Sequence, residues 1–340
     1  MSYSNHKEKM LAALNFEPVE SVPICGPFQG YWALEYSNVS VQKSFDNPAL
    51  AAEAQLKVLE KCDFDALEVL WDWQTPLPAL GCEVNITDVG GPSTRTHVVS
   101  DASSLEALEI PDPSQDKRLK SGIETAAKLI DVIGDERYTY YDLMAPFTLA
   151  GELRGVEVMM LDLYTDPDFV KELLSFSTET LKVYNKYLMD SLDVDGVFMC
   201  DPTASGNLIS KATFETYSQP YMTDLSGTLK AAGRDVMIHI CGDVSDRVGS
   251  IVEIPHDVLS VDLPVGLAAA RKVMGEKVTL LGNLDVANTL FNGTPDDVRA
   301  QIRTCIESTG GVGHILAGGC DIAPGTPMEN VEIWKDNTNV

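Results

Sequence analysis

The stretch DVMIHIC, residues 235–241, is a short apolar run that ends on a histidine and a cysteine two residues apart. A run this short, set between helical patterns, reads as a strand buried on both faces. Others like it recur along the chain: SVPICG (21–26), DALEVLW (65–71), RYTYYDLM (137–144), VDGVFMC (194–200), DVLSVDL (257–263), KVTLLGNL (277–284) and GHILAGG (313–319). Helical patterns separate them, at 49–62, 120–134, about 147–161, 167–192, 211–232, near 244–253, 266–273 and 295–309. The last opens with Pro295, Asp296 and Asp297, a favourable first helical turn. In the 120–134 pattern the apolar residues 123, 126, 127, 130 and 133 share one face. Strands alternating with helices imply a parallel sheet, and eight such units imply an α/β chain closed into a (β/α)8 TIM barrel. The runner-up, an open doubly wound sheet, lacks a G-x-G-x-x-G fingerprint after the early strands. The whole chain, 1–340, reads as one such barrel with a small excursion at about 75–119, a hairpin around CEVNITDVGGPSTRTHVV.

Composition narrows the function. The 340 residues are 44% hydrophobic and 22% charged, ordinary for a globular chain. The 25 Lys+Arg stand against 51 Asp+Glu, a net charge of −26. That balance argues against nucleic acid and against anionic membranes as partners. No run approaches the length of a membrane span, and MSYSNHKEKML has no apolar core of a signal peptide. The expectation is a cytoplasmic protein whose seven cysteines are reduced.

Side chains two apart on a strand point to the same face, so His239 and Cys241 share one. Cys320 follows the last strand behind two glycines. In a barrel these strand ends face one central space. One imidazole and two thiolates suit Zn²⁺, and three protein ligands leave a position open, as in catalytic sites. Asp262, ending VLSVD, is the candidate fourth ligand of the resting site, to be displaced by substrate. The competing reading of an H-x-C strand is core filling, which is also the expectation for Cys25, Cys62, Cys200 and Cys305. His6, His97, His256 and His314 have no evident partner in the sequence. Trp71, Asp72, Trp73, Tyr140, Tyr141 and Asp142 cluster at the ends of the second and third strands. With Asp201 after the fourth, they are the candidate pocket residues; Tyr31 and Trp32 form an outlying group.

The segments HICGDVSDRV, VTLLGNLDVANTLF, ILAGGCDIAPGTPMENV, APFTLAGELRG and ALGCEV resemble the uroporphyrinogen decarboxylase superfamily, nearly end to end. H-x-C with a distant G-C is similar to its zinc-dependent corrinoid methyltransferase branch, which includes methylcobamide:coenzyme M methyltransferases. The resemblance implies a TIM barrel with zinc on His239, Cys241 and Cys320. Asp262 falls where the methanol-pathway branch carries a metal-ligating glutamate, and the shorter side chain is a departure. Asp72 falls on the decarboxylases' catalytic aspartate. The segment GPFQGYWALEYS, however, lacks the arginines with which decarboxylases grip porphyrin carboxylates.

The implied activity is transfer of a methyl group from a methylated corrinoid protein to a zinc-activated thiol such as coenzyme M. The chain has no D-x-H-x-x-G signature, so the corrinoid is expected on a partner protein. Three alternatives stay open: a methyltransferase that demethylates a methoxy, methylthio or methylamine donor onto a corrinoid protein, a tetrapyrrole decarboxylase, and a non-catalytic binding protein.

Overall fold

In the computed structural model, which describes residues 5–340, seven strands form one parallel sheet. They are Ala66–Leu70, Tyr138–Met144, Gly196–Cys200, Asp235–His239, Val258–Ser260, Thr279–Leu281 and His314–Ile315, each paired with the next. The expected first strand supplies the eighth stave as bridges rather than as a ladder. Ile24 bridges Leu316 and Cys25 bridges Ala66. The Cys25 N–H donates to the Leu316 carbonyl at 3.0 Å, and the Asp65 N–H to the Ile24 carbonyl at 2.8 Å. Pro23 has no N–H to give a ladder, yet its carbonyl accepts from Leu316 at 2.8 Å. The barrel is thereby closed.

Alternation along the strands makes two cores. Cys25, Ala66, Tyr138, Tyr140, Phe198, Cys200, Met237, Val258, Leu281 and Ile315 fill the barrel interior. Their neighbours, such as Leu67, Tyr141, Val197, Ile238, Leu259 and Leu280, pack outward among the helices. The helix His6–Leu14, which the sequence reading did not mark, sends Met10 and Ala13 into the interior cluster. The Thr279 hydroxyl donates to the Ala13 carbonyl at 3.1 Å, so this helix caps the end where strands begin.

Several helices are shorter or more broken than periodicity suggested. The pattern at 147–161 is two helices, Pro146–Arg154 and Val156–Thr165, parted at Gly155, whose φ of +88° no helix accommodates. The pattern at 211–232 divides into Lys211–Tyr217 and Gln219–Ala231, with a proline in the first turn of the second. Near 244–253 only Val248–Ile251 is helical. The excursion contains a two-residue-wide antiparallel pair, Val84–Asn85 with Ser93–Thr94. Among the described residues no helix is long and apolar enough to cross a membrane.

Candidate metal centre and pocket

His239 is the last residue of its strand, opposite Cys200 on one neighbour and Ser260 on the other. Its ring is held from three directions. Nδ1 lies 3.0 Å from the Ser260 hydroxyl, and the Phe28 and Phe198 rings meet it edgewise at 5.2 and 6.2 Å between centroids. Nε2 is left to face Cys241 Sγ at 3.2 Å and Cys320 Sγ at 3.7 Å, while the two sulfurs are 3.8 Å apart. All three ligand atoms lie within 4.8 Å of one another. Zinc binds sulfur at ~2.3 Å and imidazole nitrogen at ~2.0 Å, so a tetrahedron has edges of ~3.8 Å between sulfurs and ~3.6 Å between sulfur and nitrogen. The observed triangle fits that donor set. The two sulfurs are close enough to share a proton: that hydrogen bond, with His239 beside it, pulls Cys320 below the ordinary thiol value, while the same bond and burial push Cys241 up.

Cys241 and Cys320 both lie past the hydrogen-bonded strands, in loops at the C-terminal mouth where barrel enzymes work. Gly242, at φ +76°, turns the chain directly after Cys241. Asp262 holds that turn: one oxygen accepts the Gly242 N–H and the other the Leu263 N–H, both at 2.7 Å. The expected fourth ligand thus stands outside the three-residue cluster, engaged as the brace of the Cys241 loop.

Beside the cluster is a cavity of about 240 Å³. Phe28, Tyr31, Trp71 and Trp73 supply its aromatic surface, Glu68, Asp142 and Asp321 its carboxyls, and no Arg or Lys is among the described residues that line it. Trp71 packs over Gly30, where any Cβ would fall 2.1 Å from the indole. Of the seven residues expected in the pocket, Trp71, Trp73 and Asp142 line it and four do not; Tyr140 is one of the four, packed in the barrel interior. Tyr141 faces the helix layer and donates to Asn185 at 2.9 Å. Asp201 is fully buried, accepts from Thr148 at 2.6 Å and Ser218 at 2.7 Å, and is pushed up to about 6 by burial. Asp72 is gripped by both arms of the Arg118 guanidinium. Tyr31 enters the cavity, whereas Trp32 donates to the Thr326 carbonyl at 2.9 Å.

Sequence reading missed Ser260, Phe28, Glu68 and Asp321. Glu68 carried a signal, an acid inside the apolar run ALEVL, because a buried carboxyl in a strand requires a reason. Glu68 and Asp142 face each other within the barrel mouth. Burial raises both, and for Asp142 the Glu68 charge adds to it.

The uroporphyrinogen decarboxylase (URO-D) family profile matches residues 5–338. A methylcobamide:CoM methyltransferase, MtaA, of Methanosarcina barkeri is 28% identical over 98% of this chain and 97% of its own. A uroporphyrinogen decarboxylase of a Synechococcus species is 27% identical over 96% and 94%. A solved methyltransferase from Methanosarcina mazei superposes with a TM-score of 0.89 at 26% identity, covering 98% of each chain. The chain belongs to the uroporphyrinogen decarboxylase family.

Proposed function

We propose that this methyltransferase moves a methyl group from a methylated corrinoid, carried by a separate protein, to the sulfur of a small thiol held at His239, Cys241 and Cys320. The observation that carries the reading is the convergence of one imidazole nitrogen and two sulfurs, from strand ends far apart in sequence, on one point at the barrel mouth. Zinc, when bound there, supplies Lewis acidity that strips a thiol of its proton and fixes its sulfur. The methylcobamide:CoM methyltransferase relative supports both the donor and the thiol, and makes coenzyme M the first acceptor to try.

The protein's residues supply positioning. Ser260, Phe28 and Phe198 aim Nε2 of His239 at the two sulfurs. The Asp262 brace sets the Cys241 loop. The aromatic walls exclude water around the acceptor sulfur, which keeps it nucleophilic. In the transfer, a sulfur–carbon bond forms as the donor's cobalt–carbon bond breaks, and the electron pair of that bond stays with cobalt. Tetrapyrrole decarboxylation is disfavoured by a cavity whose lining holds carboxyls and neither Arg nor Lys among the described residues, since porphyrin carboxylates need cationic partners. Free cysteines at all seven positions suit a reducing, cytoplasmic setting.

The test is to mix the zinc-loaded chain with methylcobalamin and coenzyme M and follow cobalamin absorbance and the methyl thioether formed. The expected result is loss of methylcobalamin matched by methyl-coenzyme M, abolished in Cys320→Ser. Absence of methyl transfer to every thiol tried contradicts the proposal.

A further inference from the structure

The chemistry of the cavity restricts which thiol it accepts. Glu68 and Asp142 are 0% and 2% exposed and both line it. Glu68 Oε2 accepts the Gly30 N–H at 3.0 Å. Apart from a proton shared between the two carboxyls, no donor among the described residues reaches Glu68 Oε1 or either oxygen of Asp142. Buried acceptors without donors are unfavourable, and a ligand bearing N–H groups relieves them. Arg118 binds Asp72, on the other side of Trp71 in sequence, and lines a separate, smaller cavity. Aromatic faces of the kind offered by Phe28, Tyr31, Trp71 and Trp73 attract cations and not anions.

Charge balance points the same way. A divalent ion with two cysteinates is neutral, and an incoming thiolate makes the centre anionic. A second negative group on the same small molecule would sit among carboxyls, whereas an ammonium group would compensate both the centre and the Glu68–Asp142 pair. Burial, reinforced for Asp142 by the charge of Glu68, raises the pair, as expected of carboxyls lacking a cation.

We propose that Glu68, Asp142 and the aromatic wall form an alkylammonium subsite, so that the centre at His239, Cys241 and Cys320 prefers a small aminothiol to an anionic sulfonate such as coenzyme M, which it takes more weakly. This deepens the thiol-methylation reading and rests on it. Binding to the subsite is nonetheless measurable without turnover.

Cysteamine, 2-mercaptoethanol and coenzyme M share one thioethyl frame and carry a positive, a neutral and a negative head. Calorimetric titration of each into the zinc-loaded chain reads the preference directly. Cysteamine is expected to bind more tightly than coenzyme M by about tenfold or more, as a buried charged hydrogen bond implies. Glu68→Gln and Asp142→Asn are each expected to shrink that ratio while the chain retains zinc. Equal or tighter binding of coenzyme M overturns the proposal, as does failure of every thiol to bind, or an unchanged ratio in both zinc-retaining variants. Should the variants fail to fold, the order of the three thiols on the unaltered chain decides. Methylammonium, charged but without sulfur, separates a thiol acceptor from a methylamine donor as the carrier of the cation. Weak methylammonium binding supports the aminothiol, and binding as tight as cysteamine overturns it. Methylcobalamin turnover run in parallel scores the other reading separately. Cysteamine binding without methyl transfer removes the transferase assignment and leaves the subsite, while methylation favouring coenzyme M removes the subsite and leaves the assignment.

Discussion

Ser260 is the residue through which His239 is oriented, because its hydroxyl meets Nδ1 and leaves Nε2 for the sulfurs. Partners of this kind typically contribute 10–100-fold to metal affinity. Ser260→Ala is therefore expected to weaken zinc by roughly that factor while leaving the melting temperature nearly unchanged, as competition with a chelator and a thermal melt will read; undiminished affinity would remove Ser260 from the site. At this scale the sequence was most informative where chemistry is rare. A histidine and a cysteine two apart at a strand end, and a cysteine behind two glycines, are few enough to single out. It was least informative about which way a side chain faces. Tyr141 and Asp142 are adjacent on one strand, so alternation allows only one of them inside, and it is Asp142. Asp72 follows a register irregularity between Glu68 and Leu70, and no reading of residue types alone could count that extra step.

Elements meet through a few buried polar clamps, of which Asp72 with Arg118 is the clearest. Arg118 belongs to the helix Lys117–Ile133 and Asp72 follows the strand Ala66–Leu70, so the pair ties a helix to the rim of the barrel. The Arg118 guanidinium also lies 4.4 Å from the centroid of the Phe45 ring. Side-chain exposures of 12% and 7% make this a desolvated pair, and removing one partner of such a pair strands the other charge. Arg118→Met should cost about 3–5 kcal/mol in urea unfolding, and Asp72→Asn less, because the amide can still accept a hydrogen bond. A loss below about 1 kcal/mol for Arg118→Met would show that solvent, not Arg118, satisfies Asp72. Strand identities and the Pro295–Thr309 helix were legible because periodicity and capping agree there: Thr294 caps the helix and forms a capping box with Asp297. The breaks at Gly155 and Ser218 were not, since one residue of interruption leaves the apolar spacing on both sides intact.

The whole barrel depends on closure between its first and last staves, and the last strand carries a buried histidine. His314 lies between the Thr309 hydroxyl at 3.1 Å and the Gly282 carbonyl at 2.7 Å. Burial lowers it from 6.5 to about 4. The folded chain keeps it neutral while the unfolded chain takes up a proton near pH 6.5. Stability is thus fully present above that value and is lost as pH falls from 6.5 through about 4, by roughly 3 kcal/mol at the acid end. Urea unfolding between pH 7 and pH 4.5 should show that decline in the native chain and a shallower one in His314→Gln; parallel slopes would assign the acid sensitivity elsewhere. The fold as a whole was readable because eight apolar runs between helices leave few other architectures. That the expected closure rests on isolated bridges, Ile24 to Leu316 and Cys25 to Ala66, and not on a ladder was not, since a run's own residues do not say how far its pairing extends.

That closure is also what brings Cys320 to His239 and Cys241. X-ray absorption at the zinc edge of the metal-loaded chain measures the result directly. The expected shell is two sulfur scatterers at ~2.3 Å with a nitrogen at ~2.0 Å, and a third sulfur when thiol is added. A zinc shell made only of nitrogen and oxygen, unchanged by thiol, would contradict it.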